Sequence, residues 1–187
     1  MKKTSVLTLI LLAACAAFVA GQEVAETELL SVKGTTVEFI NYEGPHSKIE
    51  TLEEIMGIGI YLGNAIGKDY STADYAGKYR VIHAVGESVD EGLEADIFMV
   101  LRDAEVDHIR NMRYMLAGFL MAAYDFSQED ALLLAEFVTI YNAVYRGKMD
   151  FFGGKYRQIV TRNLNPEAAG ISTIYTDWPG KTEMLMI

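Results

Sequence analysis

The amino-acid sequence predicts a single α+β domain, in which a small, mostly antiparallel sheet packs against four or so helices. The chain has 187 residues, a typical length for one domain. It is 51% hydrophobic and contains only three prolines, so it can bury a core and is not intrinsically disordered. Strand-like and helix-like segments follow one another in the order β-α-β-β-α-α-α-β-β, without a linker rich in proline, glycine or serine.

The first 21 residues predict export from the cytoplasm. Two lysines precede an apolar stretch from Val6 to Ala20, and Val19-Ala20-Gly21 forms a cleavage site, which is the layout of a secretory signal peptide. We expect cleavage after Gly21 and a location in the periplasm or cell envelope, with association with the outer membrane as one variant. A second interpretation stays open, because Leu12–Cys15 resembles a bacterial lipobox. Acylation of Cys15 would hold the domain on a membrane.

The rest of the chain divides into a lead-in segment, residues 22–36, and the α+β domain itself, residues 37–187. The lead-in is mixed and acidic, and is either mobile or a short helix. The domain stops on apolar residues, Met184 to Ile187. They form either a terminal strand paired into the sheet or the point at which a longer protein continues, whose N-terminal part this domain would be.

Strands are indicated by β-branched and aromatic residues that alternate with polar ones. This pattern occurs in five segments: 37–42, 78–85, 95–101, 171–175 and 183–187. The stretch 86–94 is polar and acidic, which favours a hairpin between the second and third strands. Residues 67–77 are interpreted as a polar loop, and Pro179-Gly180 as a turn.

Helices are indicated by apolar residues at helical spacing and by residues that favour helix ends. Four segments have these features: 47–66, 104–124, 127–146 and 155–164. Ser47 with Glu50 and Ser127 with Asp130 each fit a capping box at the start of a helix. Asn165-Pro166 ends the last helix, because proline cannot continue it.

The composition argues against several classes of function. With 16 basic and 26 acidic residues, the chain has a net charge of −10 and repels phosphate, so we expect no nucleic-acid partner. Its single cysteine, Cys15, excludes an intrachain disulfide and a multi-cysteine zinc site. Contact with a membrane is expected only if Cys15 is acylated.

Two glycine-containing stretches resemble nucleotide-binding motifs but depart from them. Gly57, Gly59 and Gly63 have the wrong last spacing for a dinucleotide fingerprint and lie inside a predicted helix, where glycine permits close helix packing. Gly180-Lys181-Thr182 has Tyr175 where a phosphate loop needs its first glycine. We therefore expect no cofactor at either place.

No residue pattern specifies a reaction or a metal site. The histidines are His46, His83 and His108, and no two of them have the spacing of metal ligands. There is no G-x-S-x-G elbow, and neighbouring acids such as Glu53-Glu54 and Asp90-Glu91 fit a solvated face. The sequence therefore predicts no catalytic, metal-binding or cofactor-binding residues, and a protein that is not an enzyme.

The segment from Arg146 to Arg162 is locally basic, with five cations against one acid. Lys155 and Arg162 are seven residues apart, so on one helix they would share a stripe beside Tyr156. This stripe either covers an apolar edge with its aliphatic stems or binds an anionic partner. Candidate partner-binding residues are Lys155, Tyr156, Arg157 and Arg162. Core packing with side-chain hydrogen bonds is the default interpretation for the polar residues just upstream: Tyr141, Asn142, Tyr145 and Arg146.

Six stretches of the chain occur together in a distinctive order: EFINYEGP at 38–45, GIGIYL at 57–62, YAGKY at 75–79, ADIF at 95–98, TIYNAVYRG at 139–147 and WPGKT at 178–182. As a set they resemble the N-terminal region of the spirochaetal 83/100 kDa antigen family, from about Val37 onwards. The resemblance implies a secreted envelope protein of a spirochaete, known mainly as an antigen, with no established enzymatic activity. Family members continue into a long charged helical region that this sequence lacks, so roles that depend on that region are not implied.

We consider three hypotheses of function. The leading one is a non-enzymatic structural or interaction domain of the cell envelope, whose partner we expect to be an envelope protein. The second is an envelope hydrolase or small-ligand-binding protein, which predicts a deep pocket with converging polar groups. The third is a host-facing adhesin, which would be accessible from outside the cell.

Overall fold

A four-stranded antiparallel sheet with helices on both faces forms the centre of the protein in the computed structural model, which describes residues 26–42, 51–67, 69–85, 92–104 and 108–186. In chain order the elements are α1 (Glu26–Val32), α2 (Leu52–Ala65), β1 (Ser71–Tyr75), β2 (Tyr79–Ala84), β3 (Ala95–Val100), α3 (Ile109–Tyr124), α4 (Gln128–Val144), α5 (Met149–Lys155), α6 (Gln158–Asn163) and β4 (Thr182–Met186). A short 3-10 turn, Tyr175–Asp177, precedes β4. The predicted single α+β domain is confirmed.

The strands lie in the order β1-β2-β3-β4, and each pairs antiparallel with the next. The predicted hairpin is confirmed by the pairing of β2 with β3, and the strand predicted over 183–187 is confirmed by the pairing of β4 with β3. The prediction of a polar loop over residues 67–77 is wrong, because this stretch contains β1. Only Ala73 of β1 is fully buried, so the strand lacks the apolar alternation that would reveal it.

Alternate strand residues face two separate cores, as the pleat of a sheet requires. One face packs with α2, α3 and α4 in the larger core, to which the strands contribute Val81, Phe98 and Met184. The other face packs with α5 and α6 in a smaller core, to which they contribute Ile82, Ile97 and Leu185. Because both faces are covered, the central strands have almost no exposed positions.

Glycines allow α2 and α3 to approach each other closely. A Cβ atom at Gly59 would overlap the main chain of Met115 in α3, and a Cβ at Gly118 of α3 would overlap the main chain of Met56 in α2. The helix-packing interpretation is thereby confirmed for Gly59, and also for Gly63, where a Cβ atom would lie 2.7 Å from the main-chain oxygen of Phe119. For Gly57 it is wrong, since open space surrounds that position.

Two of the predicted strands, 37–42 and 171–175, do not form. In their main chains the two stretches share an isolated bridge, between Ile40 and Ile174. Their aromatic residues pack edge-on instead: the ring of Phe39 lies 5.2 Å from that of Tyr175 and 4.8 Å from that of Trp178, between centroids. Aromatic content therefore reflects side-chain packing here and not a ladder of main-chain hydrogen bonds.

Only part of the helix that the sequence predicts over 155–164 forms: α6 covers Gln158–Asn163, whereas Lys155 ends the separate helix α5. The main chain around Tyr156 pairs with Leu93 instead: the Leu93 N–H donates to Lys155 O at 3.0 Å, and the Arg157 N–H donates to Leu93 O at 2.9 Å. These bonds turn the chain between α5 and α6.

The starts of α2, α3 and α4 are each fixed by a side chain that caps the helix. α2 begins after a capping box formed by Thr51 and Glu54. α3 begins at Ile109 and not near residue 104, and His108 caps it by accepting the N–H of Arg110 at 3.0 Å. The cap at Ser127 is confirmed, since its Oγ accepts the N–H of Asp130 at the start of α4.

Several sequence-based predictions fall outside the described residues: the signal peptide with Cys15, the capping pair Ser47 and Glu50, His46, the pair Asp90-Glu91, most of the hairpin loop and Ile187. Among the described helices, none has both the length and the apolar character that crossing a bilayer requires.

Candidate functional site

The basic segment is where the N-terminal helix attaches to the domain. Lys155, the last residue of α5, forms an ion pair with Glu28 of α1, and the Lys155 side chain is only 11% exposed. On the same side of α1, Val32 is 4% exposed within the larger core. Of the two interpretations of the lead-in, the structure therefore shows the short helix.

Aromatic side chains surround the Glu28–Lys155 pair. The hydroxyl of Tyr141 in α4 donates a long hydrogen bond of 3.5 Å to the Glu28 carboxylate. The rings of Tyr145 and Phe151 stack at 4.0 Å, and the Lys155 ammonium lies 5.6 Å from the Phe151 ring centroid, within cation–π range. Lys155 is thus held by one carboxylate and by the π-face of one ring.

Tyr156 lies beneath this ion pair and is 3% exposed. Its hydroxyl has no hydrogen-bond partner of normal geometry among the described residues, although the Tyr141 hydroxyl is its neighbour. Burial raises the pKa of both tyrosines well above the ordinary value of 10.0. Both hydroxyls therefore keep their protons, and can donate hydrogen bonds, throughout the physiological pH range.

The structure separates the four candidate partner-binding residues. Lys155 and Arg162 lie in different helices, so the prediction that they share one helical stripe is wrong. Arg157 is engaged within the fold: its Nη1 lies 2.6 Å from Glu94 Oε1, and its Nε donates to Gly92 O at 3.2 Å. Arg162 is exposed and donates to Gln158 Oε1 at 2.8 Å. Tyr156 is buried, which leaves Arg162 as the candidate most open to solvent.

The polar residues of α4 and its C-terminal end serve packing, as the sequence predicts. Asn142 is fully buried and bonds to the main chain of β4. The guanidinium of Arg146 donates to Gly170 O at 2.5 Å and to Ala168 O at 3.3 Å. Both side chains form hydrogen bonds with main-chain groups of segments that lie much later in the sequence.

A second constellation, which sequence reasoning missed, crosses the sheet on the face of the larger core. Register places Ser71 opposite His83, and His83 opposite Asp96. The His83 Nδ1 lies 2.7 Å from Asp96 Oδ1, and the Tyr124 hydroxyl at the end of α3 donates to Asp96 Oδ2. Asp96 is 2% exposed, and so its carboxylate oxygens need these hydrogen-bond partners.

The sequence signal for this row is weak. Ser71 and His83 are twelve positions apart and His83 and Asp96 thirteen, spacings that match no catalytic motif. An aspartate within the otherwise apolar strand ADIFMV was the usable hint, since a carboxylate in a buried strand needs a partner. Among the described residues, no group of three His, Cys, Asp or Glu side chains is placed to hold a metal ion.

The remaining motif residues lie in ordinary structural positions. Gly180 lies in a turn with φ of +90°, and Thr182 opens β4. The Nε2 of His108 lies 3.6 Å from the exposed carboxylate of Glu38. Glu53 and Glu54 are both exposed in the first turn of α2, where they favour the positive end of the helix dipole.

Comparison with known proteins gives one match. The family model of the Borrelia P83/100 protein matches residues 26–187, which include every element described above. No curated protein and no solved structure matches significantly. The resemblance carried by the six sequence stretches is confirmed, and the chain belongs to the Borrelia P83/100 antigen family.

Proposed function

We propose that this chain is an exported, non-enzymatic interaction domain of the spirochaetal cell envelope. The layout of residues 1–21 supports export, with cleavage after Gly21 or, in the alternative, acylation of Cys15. Membership of an antigen family supports a location where host antibodies meet the protein. The partner is a protein of the envelope, bound through the basic segment, in which the side chain of Arg162 is exposed.

One observation carries this proposal: the buried polar side chains join segments of the fold to one another. Asn142 binds the main chain of β4, and Arg146 binds the main-chain oxygen of Gly170, which precedes β4 in the chain. Asp96 binds His83 and Tyr124. A side chain whose hydrogen-bonding atoms are already bound within the fold is poorly placed to act on a substrate. A rigid scaffold with a local basic surface is what a domain for protein contacts requires.

Capture of partners from envelope extracts tests the proposal. Arg162→Glu should reduce recovery of a stably bound envelope protein at least tenfold, because it reverses the charge of an exposed cation in the segment. Lys181→Glu, in the exposed turn before β4, is the matched control and should leave recovery unchanged. Equal recovery by the two variants, or no partner bound by the parent chain, would contradict the proposal.

A separate experiment tests where the protein is located in the cell. Protease added to intact cells should leave a periplasmic protein uncut, whereas a host-facing adhesin would be cut. Cys15→Ala tests the alternative of a lipid anchor, since loss of membrane association in that variant would assign acylation to Cys15.

A hydrolase is the second candidate, and the cross-strand row favours it. Ser71, His83 and Asp96 occur in the order of a nucleophile, base and orienting carboxylate. Ser71 Oγ accepts a hydrogen bond from the Gly67 N–H at 2.9 Å, so the serine also has a structural role at the start of β1. A fluorophosphonate probe that labels the chain, but not its Ser71→Ala variant, would establish the hydrolase and overturn the non-enzymatic proposal.

A further inference from the structure

Two side chains, one from α4 and one from the end of α5, bind the carboxylate of Glu28. Lys155 forms an ion pair with it, and Tyr141, the neighbour of the buried Tyr156, donates a hydrogen bond to it at 3.5 Å. We propose that Lys155 and Tyr141 form a carboxylate-binding pocket for an acidic helical segment of a partner protein, and that Glu28 occupies this pocket within the chain. The inference rests on the proposed interaction function and specifies the class of partner.

The chemistry of the pocket selects a carboxylate. An ionised carboxylate accepts about four hydrogen bonds, and the pocket offers the ammonium of Lys155 and the phenolic hydroxyl of Tyr141 as donors. Without a carboxylate, the mostly buried ammonium of Lys155 would lack its counter-ion, so a neutral group is a poor substitute.

The surroundings of the pocket select a helix and not a free carboxylate. Val32 follows Glu28 by four residues, so both lie on one side of α1. Val32 is buried in the larger core, while Ser31 Oγ lies 3.4 Å from the Tyr145 hydroxyl. The recognised element is therefore a helical turn with a glutamate and an aliphatic residue four positions later.

α1 is suited to being displaced from this pocket. It has seven residues, and a helix of that length has little stability of its own. Its Thr27, Leu30 and Ser31 are exposed, and Leu30 is 55% exposed. Because α1 is tethered to the domain, its effective concentration at the pocket is high, and a partner helix has to compete with it. The pocket is thus occupied in the free protein and opens to a stronger acidic ligand.

A labelled peptide provides the test. The probe is a fluorescein-labelled synthetic peptide with the sequence of residues 24–36, and the protein is the chain from residue 22 onwards. Glu28→Ala removes the internal ligand, so this variant should bind the peptide at least tenfold more tightly than the parent chain. Glu136→Ala removes an exposed carboxylate from α4 and should bind like the parent. A peptide with glutamine in place of its own Glu28 should bind Glu28→Ala at least tenfold more weakly.

Tyr141→Phe, made in the Glu28→Ala background, separates loss of the hydrogen bond to the carboxylate from misfolding. It keeps the buried ring, so circular dichroism should show an intact fold, while the lost hydroxyl lowers peptide affinity about fivefold. That fold-change corresponds to about 1 kcal/mol, the usual contribution of one hydrogen bond.

Three results would overturn the inference. The first is equal binding of the glutamate and glutamine peptides, and the second is equal binding to the parent and Glu28→Ala chains. The third is competition by N-acetylglutamate at the concentration of the peptide, which would assign the pocket to small carboxylates. If the pocket fails in these ways while Arg162 still governs capture of an envelope protein, the proposed function stands without it. If both fail, the interaction function is wrong as well.

Discussion

Asn142 binds the outer edge of β4 as a neighbouring strand would, through both main-chain groups of Leu185. Its Nδ2 donates to Leu185 O at 3.0 Å, and its Oδ1 accepts the Leu185 N–H at 2.8 Å. β4 is the edge strand of the sheet, so these groups would otherwise be unpaired inside the protein. The same residue accepts the Ile171 N–H at its main-chain oxygen, at 3.0 Å. One asparagine thus connects α4 with two later segments.

Asn142→Ala should lower the free energy of unfolding by about 3 kcal/mol, because it leaves the buried N–H and C=O of Leu185 without partners. Urea denaturation followed by circular dichroism measures the change. Asn64→Ala, on the exposed side of α2, is the control and should change stability by less than about 0.5 kcal/mol. A similar loss in both variants would contradict the role assigned to Asn142.

Gly59→Ala and Gly57→Ala should change stability in opposite directions. A methyl group at Gly59 would overlap the main chain of Met115 and force α2 away from α3, at a cost of about 3 kcal/mol or more. A methyl group at Gly57 points into open space and should stabilise α2 by about 0.5–1 kcal/mol. Thermal melts of the two variants suffice, and a shift of the same sign in both would contradict the helix contact.

Tyr124→Phe should destabilise the protein by about 1–3 kcal/mol, because buried Asp96 loses one of its two partners. Tyr114→Phe, in the same helix, is the control. Burial, followed by the charge of Asp96, raises the pKa of Tyr124 far above its ordinary value of 10.0. The stabilisation is therefore fully present below pH 10 and is lost as the unfolded chain ionises above it. The difference between parent and variant should therefore stay constant below pH 10 and shrink as the pH rises above it.

Glu183→Gln tests a buried carboxyl group on the opposite face of the sheet. Burial raises the pKa of Glu183 above its ordinary value of 4.5, against the opposing effect of the Asn165 N–H, which donates to its carboxylate at 2.7 Å. Because the folded state favours the protonated acid, stability is highest below pH 4.5 and falls as pH rises through the raised value. Urea denaturation at pH 4 to 7 should show this fall in the parent chain and a flatter profile in Glu183→Gln. Exposed Glu136→Gln should follow the parent, and an unchanged slope in Glu183→Gln would refute the assignment.

The elements that could be predicted from the sequence are those that bury several apolar residues at regular spacing along one side. α3 is the best example, since Ile109, Met112, Leu116 and Phe119 are spaced at helical intervals and are all buried. β1 shows the opposite case, because it buries only Ala73 deeply and its exposed residues are those of a loop. The break at Tyr156 had no local signal, since the residue that causes it, Leu93, comes from a distant part of the chain.

The candidate sites were harder to predict than the fold, because their residues come from distant parts of the chain. Lys155 was identified from local charge, but its partner Glu28 lies 127 positions away. Spacing arguments cover one helix or one turn, and neither reaches such a partner. The row of His83 and Asp96 depends on strand register, which the sequence of the hairpin alone left undetermined.

The last strand of the sheet has a consequence for biosynthesis. β3 pairs with β4 from Val100↔Thr182 to Asp96↔Met186, and four helices lie between these strands in the chain. A nascent chain therefore presents the bare edge of β3 while all four helices are still being translated. The edge of β3 therefore has to be kept from pairing with neighbouring polypeptides until β4 has been translated.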